Sequence, residues 1–380
     1  MRKWCVLILL LWLFPGGLCL AKQNPEVNLN PAEEWRDSIP LEEVQQAFEK
    51  FQGRENNFSI KDYVNDVIDG KAEFSLKDLW QHGVEQVAGQ FENQKNTIFR
   101  ILALGLIAGI FMNFAGAVGE KDLGETGFYI TFLFLFATMS AGFYTAYTVA
   151  GEALTHLLDF MRALIPSFSL TLCLGSSTGT SIAFYETMLI VISLIEMLMV
   201  HIFLPGVQVY FLLSMVNQLA ENRFSKMAEL VHSFLRWGMK VLFGVLIGYQ
   251  GIQGMLLPVM DKVKNNAMLQ TAKGLPGVGN TLGSLADTVL GSGMLIKSAV
   301  GVGGLLCIIV MCFYPIVKLL VFTVMYRVGG AMIQPVSDKR VVAALQAAAE
   351  SGKLLLGYVF AGALMFLLSI IIILVCTNMI

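Results

Sequence analysis

Glu186 and Glu196 stand ten residues apart inside one apolar run, 183–204. Ten residues is close to three turns of an α-helix, so the two carboxylates share a face. His201 follows five residues later, near the end of the run. A carboxylate in hydrocarbon is costly, and such groups turn toward a bundle interior or a water-filled cavity. Lys297 and Lys318 are possible counter-charges, at the edge of and within a later apolar run, 299–323. Arg100 sits at the first membrane edge, where its long stem lets the charged head reach water. Two chemistries fit this set: a polar path with a coupling site, or an interhelical ion pair that fixes assembly. Gly291, Gly293, Gly301, Gly303 and Gly304 form a second set around the start of the later run, and Gly329-Gly330 follow its end. Glycine lets membrane helices approach closely, and it also permits re-entrant turns.

No catalytic signature accompanies these residues. Gly175-Ser-Ser-Thr-Gly179 has no Lys-Ser/Thr after it, so it lacks the cation and hydroxyl of a phosphate loop. His-Glu-x-x-His, Cys-x-x-Cys and Gly-x-Ser-x-Gly do not occur, and His82, His156, His201 and His232 are too scattered for a metal site. Cys5 and Cys19 fall in an N-terminal leader, while Cys173, Cys307, Cys312 and Cys376 fall in apolar segments, where they read as small packing residues. The sequence therefore predicts no catalytic residue, no metal and no cofactor.

The elements that must position these side chains are membrane helices. The 380 residues are 56% hydrophobic and 14% charged, with mean hydropathy +0.66, against roughly 25% charged residues in a soluble domain. Charge is unevenly placed: residues 22–97 carry net −7 and residues 98–380 net +3. This leaves no basic surface for nucleic acid. Residues 1–21 have the order of an export signal: basic Arg2-Lys3, apolar Val6–Phe14, the breaker Pro15-Gly16-Gly17, and small residues that allow cleavage after Ala21. An uncleaved anchor is the alternative, and either way residues 22–97 are exported. That acidic segment predicts a small extracytoplasmic helical domain. Its first helix opens near Pro40, carries Leu41, Val44, Phe48 and Phe51 on one face, and stops at Gly53. Two further short helices follow over 59–68 and 75–91. About 75 residues of this kind make a thin core, so docking on the membrane domain or a partner is expected.

From Ile98 onward, apolar stretches near the roughly 20 residues a span needs recur at 98–118, 128–150, 183–204, 238–258, 299–323 and 354–377. The stretch 160–180 holds Pro166 and a Gly/Ser/Thr run, and 205–220 opens on Pro205-Gly206 and is barely long enough. Both are ambiguous, and the fold class is an all-α polytopic membrane protein of six to eight spans. Arg223, Lys226, Arg236 and Lys240 fall in one basic loop region, and Arg327, Lys339, Arg340 and Lys353 in another. The positive-inside rule puts both in the cytoplasm, which requires an even count and an extracytoplasmic C-terminus. The regions 98–204 and 207–323 share an order of features, with Pro166 and Pro276 110 residues apart. That is the pattern of a transporter-like repeat, although Pro and Gly are common in membrane helices anyway. Val259–Gly274 mixes lysines and asparagines with Val263, Met268 and Leu269, as a surface-lying amphipathic helix does.

The stretch Lys273-Gly-Leu-Pro-Gly-Val-Gly-Asn-Thr-Leu-Gly-Ser-Leu-Ala-Asp-Thr-Val-Leu-Gly-Ser-Gly-Met-Leu-Ile-Lys-Ser-Ala-Val-Gly-Val-Gly-Gly304 resembles the stage III sporulation protein AE family. Its members carry a similar Pro-Gly, Asp-Thr-Val-Leu-Gly and Leu-Ile-Lys-Asn/Ser-Ala-Val-Gly before a long apolar span. Ile165-Pro166 and the stretch from Tyr314-Pro315 to Pro335 also fit, and the likeness covers nearly all of the chain. The resemblance implies a subunit of a channel or secretion-like complex between mother cell and forespore, in the mother-cell membrane facing the forespore. Its partners would be other membrane and extracytoplasmic subunits, and no enzymatic activity is implied. The reading from residues alone leaves a second possibility, an autonomous small-solute transporter with an intramembrane carboxylate path through Glu186 and Glu196.

Overall fold

The computed structural model describes residues 41–52, 89, 92, 95–110, 121–175, 178–220, 222–273 and 279–378. These residues are helical apart from two short turns, with no strand among them. Helix α1 spans Leu41–Gln52 and α2 residues 95–110; α3 spans Lys121–Gly175 and α4 Thr178–Leu198. A π-helical turn, Met199–Phe203, joins α4 to α5, Leu204–Leu219; α6 spans Ser225–Lys273, α7 Gly279–Ile333 and α8 Lys339–Asn378. Among the described residues, five segments are long and apolar enough to cross a membrane: Glu125–Thr171, Thr187–Leu219, Ser225–Tyr249, Ile296–Ile333 and Lys339–Ile372. The all-helical, multi-pass character expected from the apolar runs is thus what the described residues form.

The two ambiguous stretches continue their neighbours. Residues 160–175 extend α3 past Pro166, and 205–219 follow directly from the π-helical turn. Proline removes one ladder donor, here the N–H that would meet the Arg162 carbonyl. Side chains around it bond back to the helix: Ser169 donates to the Ile165 carbonyl at 2.8 Å and buried Thr171 to the Phe168 carbonyl at 2.7 Å. Pro205 stands in the first turn of α5, directly after the π-helical turn.

The core is built around α3, α7 and α8, with α8 also packing on α5 and α6. Small residues set the approach of these helices. A Cβ at Gly142 would meet the Tyr326 hydroxyl at 2.5 Å, one at Gly352 would meet Phe322 at 2.6 Å, and one at Gly362 would meet Leu154 at 2.8 Å. Tyr358, fully buried, donates to the Leu235 carbonyl at 2.9 Å and stacks on Phe203, tying α8 to α6 and the π-helical turn.

Two polar turns close one end. After α5, Asn222 takes a left-handed φ of 66°, its side-chain oxygen accepts from Asn217, and the Asn217 oxygen accepts from the Phe224 N–H. Asparagine is among the few residues that adopt this conformation readily. Between α7 and α8, Asp338 accepts from the Arg340 N–H at 2.7 Å, capping α8, and Ser337 donates to the Gly105 carbonyl at 2.8 Å, which ties α2 to the turn. Arg340 lies 3.7 Å over the Phe128 ring. A polar cleft of about 370 Å³ joins the start of α6 to the start of α8, so both basic loop regions occupy this end of the bundle.

Helix α1 has the face its spacing predicts, with Leu41, Val44 and Phe48 buried. It packs against α3 and touches α7. The export signal, the two further short helices of the acidic segment, Pro276 of the repeat and the side chains of Val259–Gly274 lie outside the described residues.

Candidate functional site

Helix α4 runs back along α3 and places Glu196 beside Arg162, 34 positions earlier. Their side chains form a direct ion pair. Asp159, one turn before Arg162 on α3, lies 3.8 Å from the same guanidinium and 3.8 Å from the Lys50 ammonium of α1. Lys50, Asp159, Arg162 and Glu196 thus make an alternating chain of charge linking α1, α3 and α4. The side chains of Asp159, Arg162 and Glu196 remain about a third exposed, which moderates the strength of each pair.

The depth of this chain follows from helix register. Gly142 of α3 lies against Phe322 and Tyr326 of α7, while Gly304 of α7 lies against Leu164 of α3, so these helices run antiparallel. α8 folds back from α7 across the turn 334–338 and so runs parallel to α3, with Leu154 against Gly362. By this register Arg162 is level with the glycines that open the apolar run 299–323 and lies inside the run 354–377. The charge chain therefore sits within the hydrocarbon depth of its neighbours, toward the end opposite the basic turns.

The other residues singled out by spacing have different fates. Glu196 meets Arg162, which the sequence reading had not paired with it. Glu186 lies on α4, but its side chain is outside the described ones. His201 sits in the π-helical turn, exposed, with Nδ1 3.3 Å from the Glu196 carbonyl oxygen. Lys297 is 1% exposed on α7, the most deeply buried charge among the described residues. Lys318 is partly exposed, its ammonium 3.3 Å from the Tyr314 hydroxyl and 5.5 Å from that ring's centre. Arg100 is exposed on α2. Gly301, Gly303 and Gly304 are buried within the continuous helix α7. A Cβ at Gly301 would meet Leu374 at 2.6 Å, and one at Gly304 would meet Leu164 at 2.8 Å. Gly291 and Gly293 are helical, with surroundings outside the description.

The cleft at the basic end is lined by Tyr210, Asn217, His232, Gln346 and Glu350 among others. His232 stacks on Tyr210 at 4.8 Å and lies 4.0 Å from Glu350, which in turn lies 3.8 Å from Lys353. No group of three or more His, Cys, Asp or Glu suited to a metal occurs among the described residues. Cys307 and Cys312 are buried free thiols.

Residues 58–377 match the family described as stage III sporulation protein AE. The chain belongs to the stage III sporulation protein AE family. A relative, the stage III sporulation protein AE of Bacillus subtilis (strain 168), is 24% identical over 288 residues, covering 73% of this chain and 70% of the relative. No solved structure matches this chain. Membership of the stage III sporulation protein AE family assigns a role in sporulation and, with the apolar helices, a membrane location. The family's description names a developmental stage and no reaction. Arg162 and Asp159, central to the charge chain, were missed by spacing alone. Their signal was present as two opposite charges one helical turn apart, inside a stretch that otherwise reads as membrane.

Proposed function

We propose that this chain is a multi-pass membrane subunit of a sporulation-specific channel or secretion-like complex linking mother cell and forespore. It resides in the mother-cell membrane facing the forespore, with residues 22–97 outside the cytoplasm and the two basic turns inside. Its partners are other membrane and extracytoplasmic subunits. The observation that carries this reading, beside family membership, is the use made of the intramembrane charges. Glu196 is engaged by Arg162, Arg162 by Asp159, and Asp159 by Lys50 of the N-terminal helix. A chain of ion pairs that joins three helices of the chain favours a structural use of these charges over a shuttling carboxylate, which must be free to exchange its partner. The buried glycines Gly301, Gly303 and Gly304 serve the same end by letting α7 pack closely.

Affinity purification of the native chain from sporulating membranes tests the proposal. Other membrane and extracytoplasmic sporulation proteins should co-purify, and the chain reconstituted alone should give no solute flux. Flux by the isolated chain, abolished by Glu186→Gln, would instead establish the autonomous transporter.

A further inference from the structure

Helix α3 carries a second charge at membrane depth, and nothing described in the chain answers it. Glu152 is exposed and makes no ion pair or hydrogen bond among the described residues. It lies midway between Gly142, packed on Phe322 and Tyr326, and Leu164, packed on Gly304. It is therefore roughly level with Tyr314, near the centre of the apolar run 299–323. Leu154 against Gly362 gives the same depth on α8, inside the run 354–377. The same stripe of α3 continues through Thr145, Thr148, Thr155 and Asp159, at alternating spacings of three and four. The hydroxyls of Thr145 and Thr148 bond back to Ala141 and Tyr144 of their own helix, so they tolerate lipid. An exposed glutamate does not.

Lys318 stands at nearly the same depth. By the α3–α7 register it is level with Thr148, one turn from Glu152, or about 6 Å along the helix axis. Its described partner is the neutral Tyr314 hydroxyl, with no carboxylate within ion-pair distance among the described residues. Among the described residues, Glu152 and Lys318 are thus an acid and a base without an ion-pair partner, about one helical turn apart in depth.

We propose that this face meets a second copy of the same chain, with Glu152 of each copy paired to Lys318 of the other. Copies inserted in one membrane share an orientation, and rotation about the membrane normal leaves depth unchanged. Two groups can then pair between copies when they lie at equal depth, within the reach of their side chains. A closed two-fold arrangement uses both pairs and leaves neither of these two charges against lipid. A different membrane protein would have to bring both a cation and a carboxylate at matching depths, which a second copy supplies by itself.

Two differently tagged full-length copies expressed in one bacterial membrane test this by co-purification. Glu152→Lys alone and Lys318→Glu alone should each lower the co-purified copy by about tenfold or more. The double exchange, Glu152→Lys with Lys318→Glu, should restore it. Chain amount and protease pattern in the membrane report folding, and Glu152→Gln repeats the test without adding a charge. A direct check pairs Glu152→Cys in one copy with Lys318→Cys in the other, which should give a bifunctional cross-link that requires both substitutions. No copy-to-copy co-purification, unaffected single variants, or a failed rescue with no cross-link would each overturn the proposal. Co-purification of other sporulation subunits is scored separately, so loss of self-association is distinguishable from loss of the complex.

Discussion

Two charged regions lie on α3 about three turns apart at most, and the chain treats them oppositely. At Arg162 the charges are answered within the chain, by Asp159 on the same helix and Glu196 on the next. At Glu152 nothing described answers. Both lie at hydrocarbon depth, where a lone charge costs roughly 2.5–3.5 kcal/mol on insertion scales. The difference separates two uses of the same chemistry. A charge paired internally fixes how the helices of one chain sit, while a charge left open specifies what lies beside the chain.

The comparison can be broken first at its paired half. Arg162→Ala leaves Glu196 and Asp159 without their shared cation, and the expected loss is about 2 kcal/mol, below the roughly 3–5 kcal/mol of a fully buried pair because a third of each side chain is exposed. Thermal aggregation in detergent and protease sensitivity in membranes should both shift, and unchanged values would show that the pair contributes nothing. Gly304→Leu comes next. Its Cβ would already meet Leu164 at 2.8 Å, so overpacking should cost about 2 kcal/mol, read as a lower melting temperature. Tyr358→Phe should cost about 1 kcal/mol by removing the bond to the Leu235 carbonyl while keeping the ring stack on Phe203. Lys50→Ala should cost less than about 0.5 kcal/mol, because its pair with Asp159 is long and Lys50 is mostly exposed. A larger effect would mean that charge, more than burial of Leu41, Val44 and Phe48, holds α1 in place.

Much of the fold was legible before any coordinates. Apolar runs of the right length marked the helices, and the spacing of Leu41, Val44 and Phe48 marked the buried face of α1. Pro166 left the stretch 160–180 undecided in the sequence, because a proline ends most soluble helices, whereas α3 continues through it to Gly175. The site was half legible. Glu196 stood out as a carboxylate in an apolar run. Its partner did not, because pairing residues 34 apart depends on how the chain turns after Gly175, which no spacing rule supplies. Lys297 and Lys318 were plausible partners by sign, yet Lys318 lies beside Tyr314 and Arg162 stands next to Glu196. The glycines were legible as close-approach residues but not as to which helix each would meet. Leu374 and Leu164 appear opposite Gly301 and Gly304 through tertiary register alone.

The most direct measurement sets one substitution from each region side by side, scoring chain stability and copy-to-copy co-purification together in the same membranes. Glu196→Gln should lower stability, with the co-purified fraction per folded chain unchanged. Glu152→Lys should leave stability nearly unchanged and remove most of the co-purified copy. The reverse pattern, or the same response from both, would contradict the division between an internally paired region and an outward-facing one.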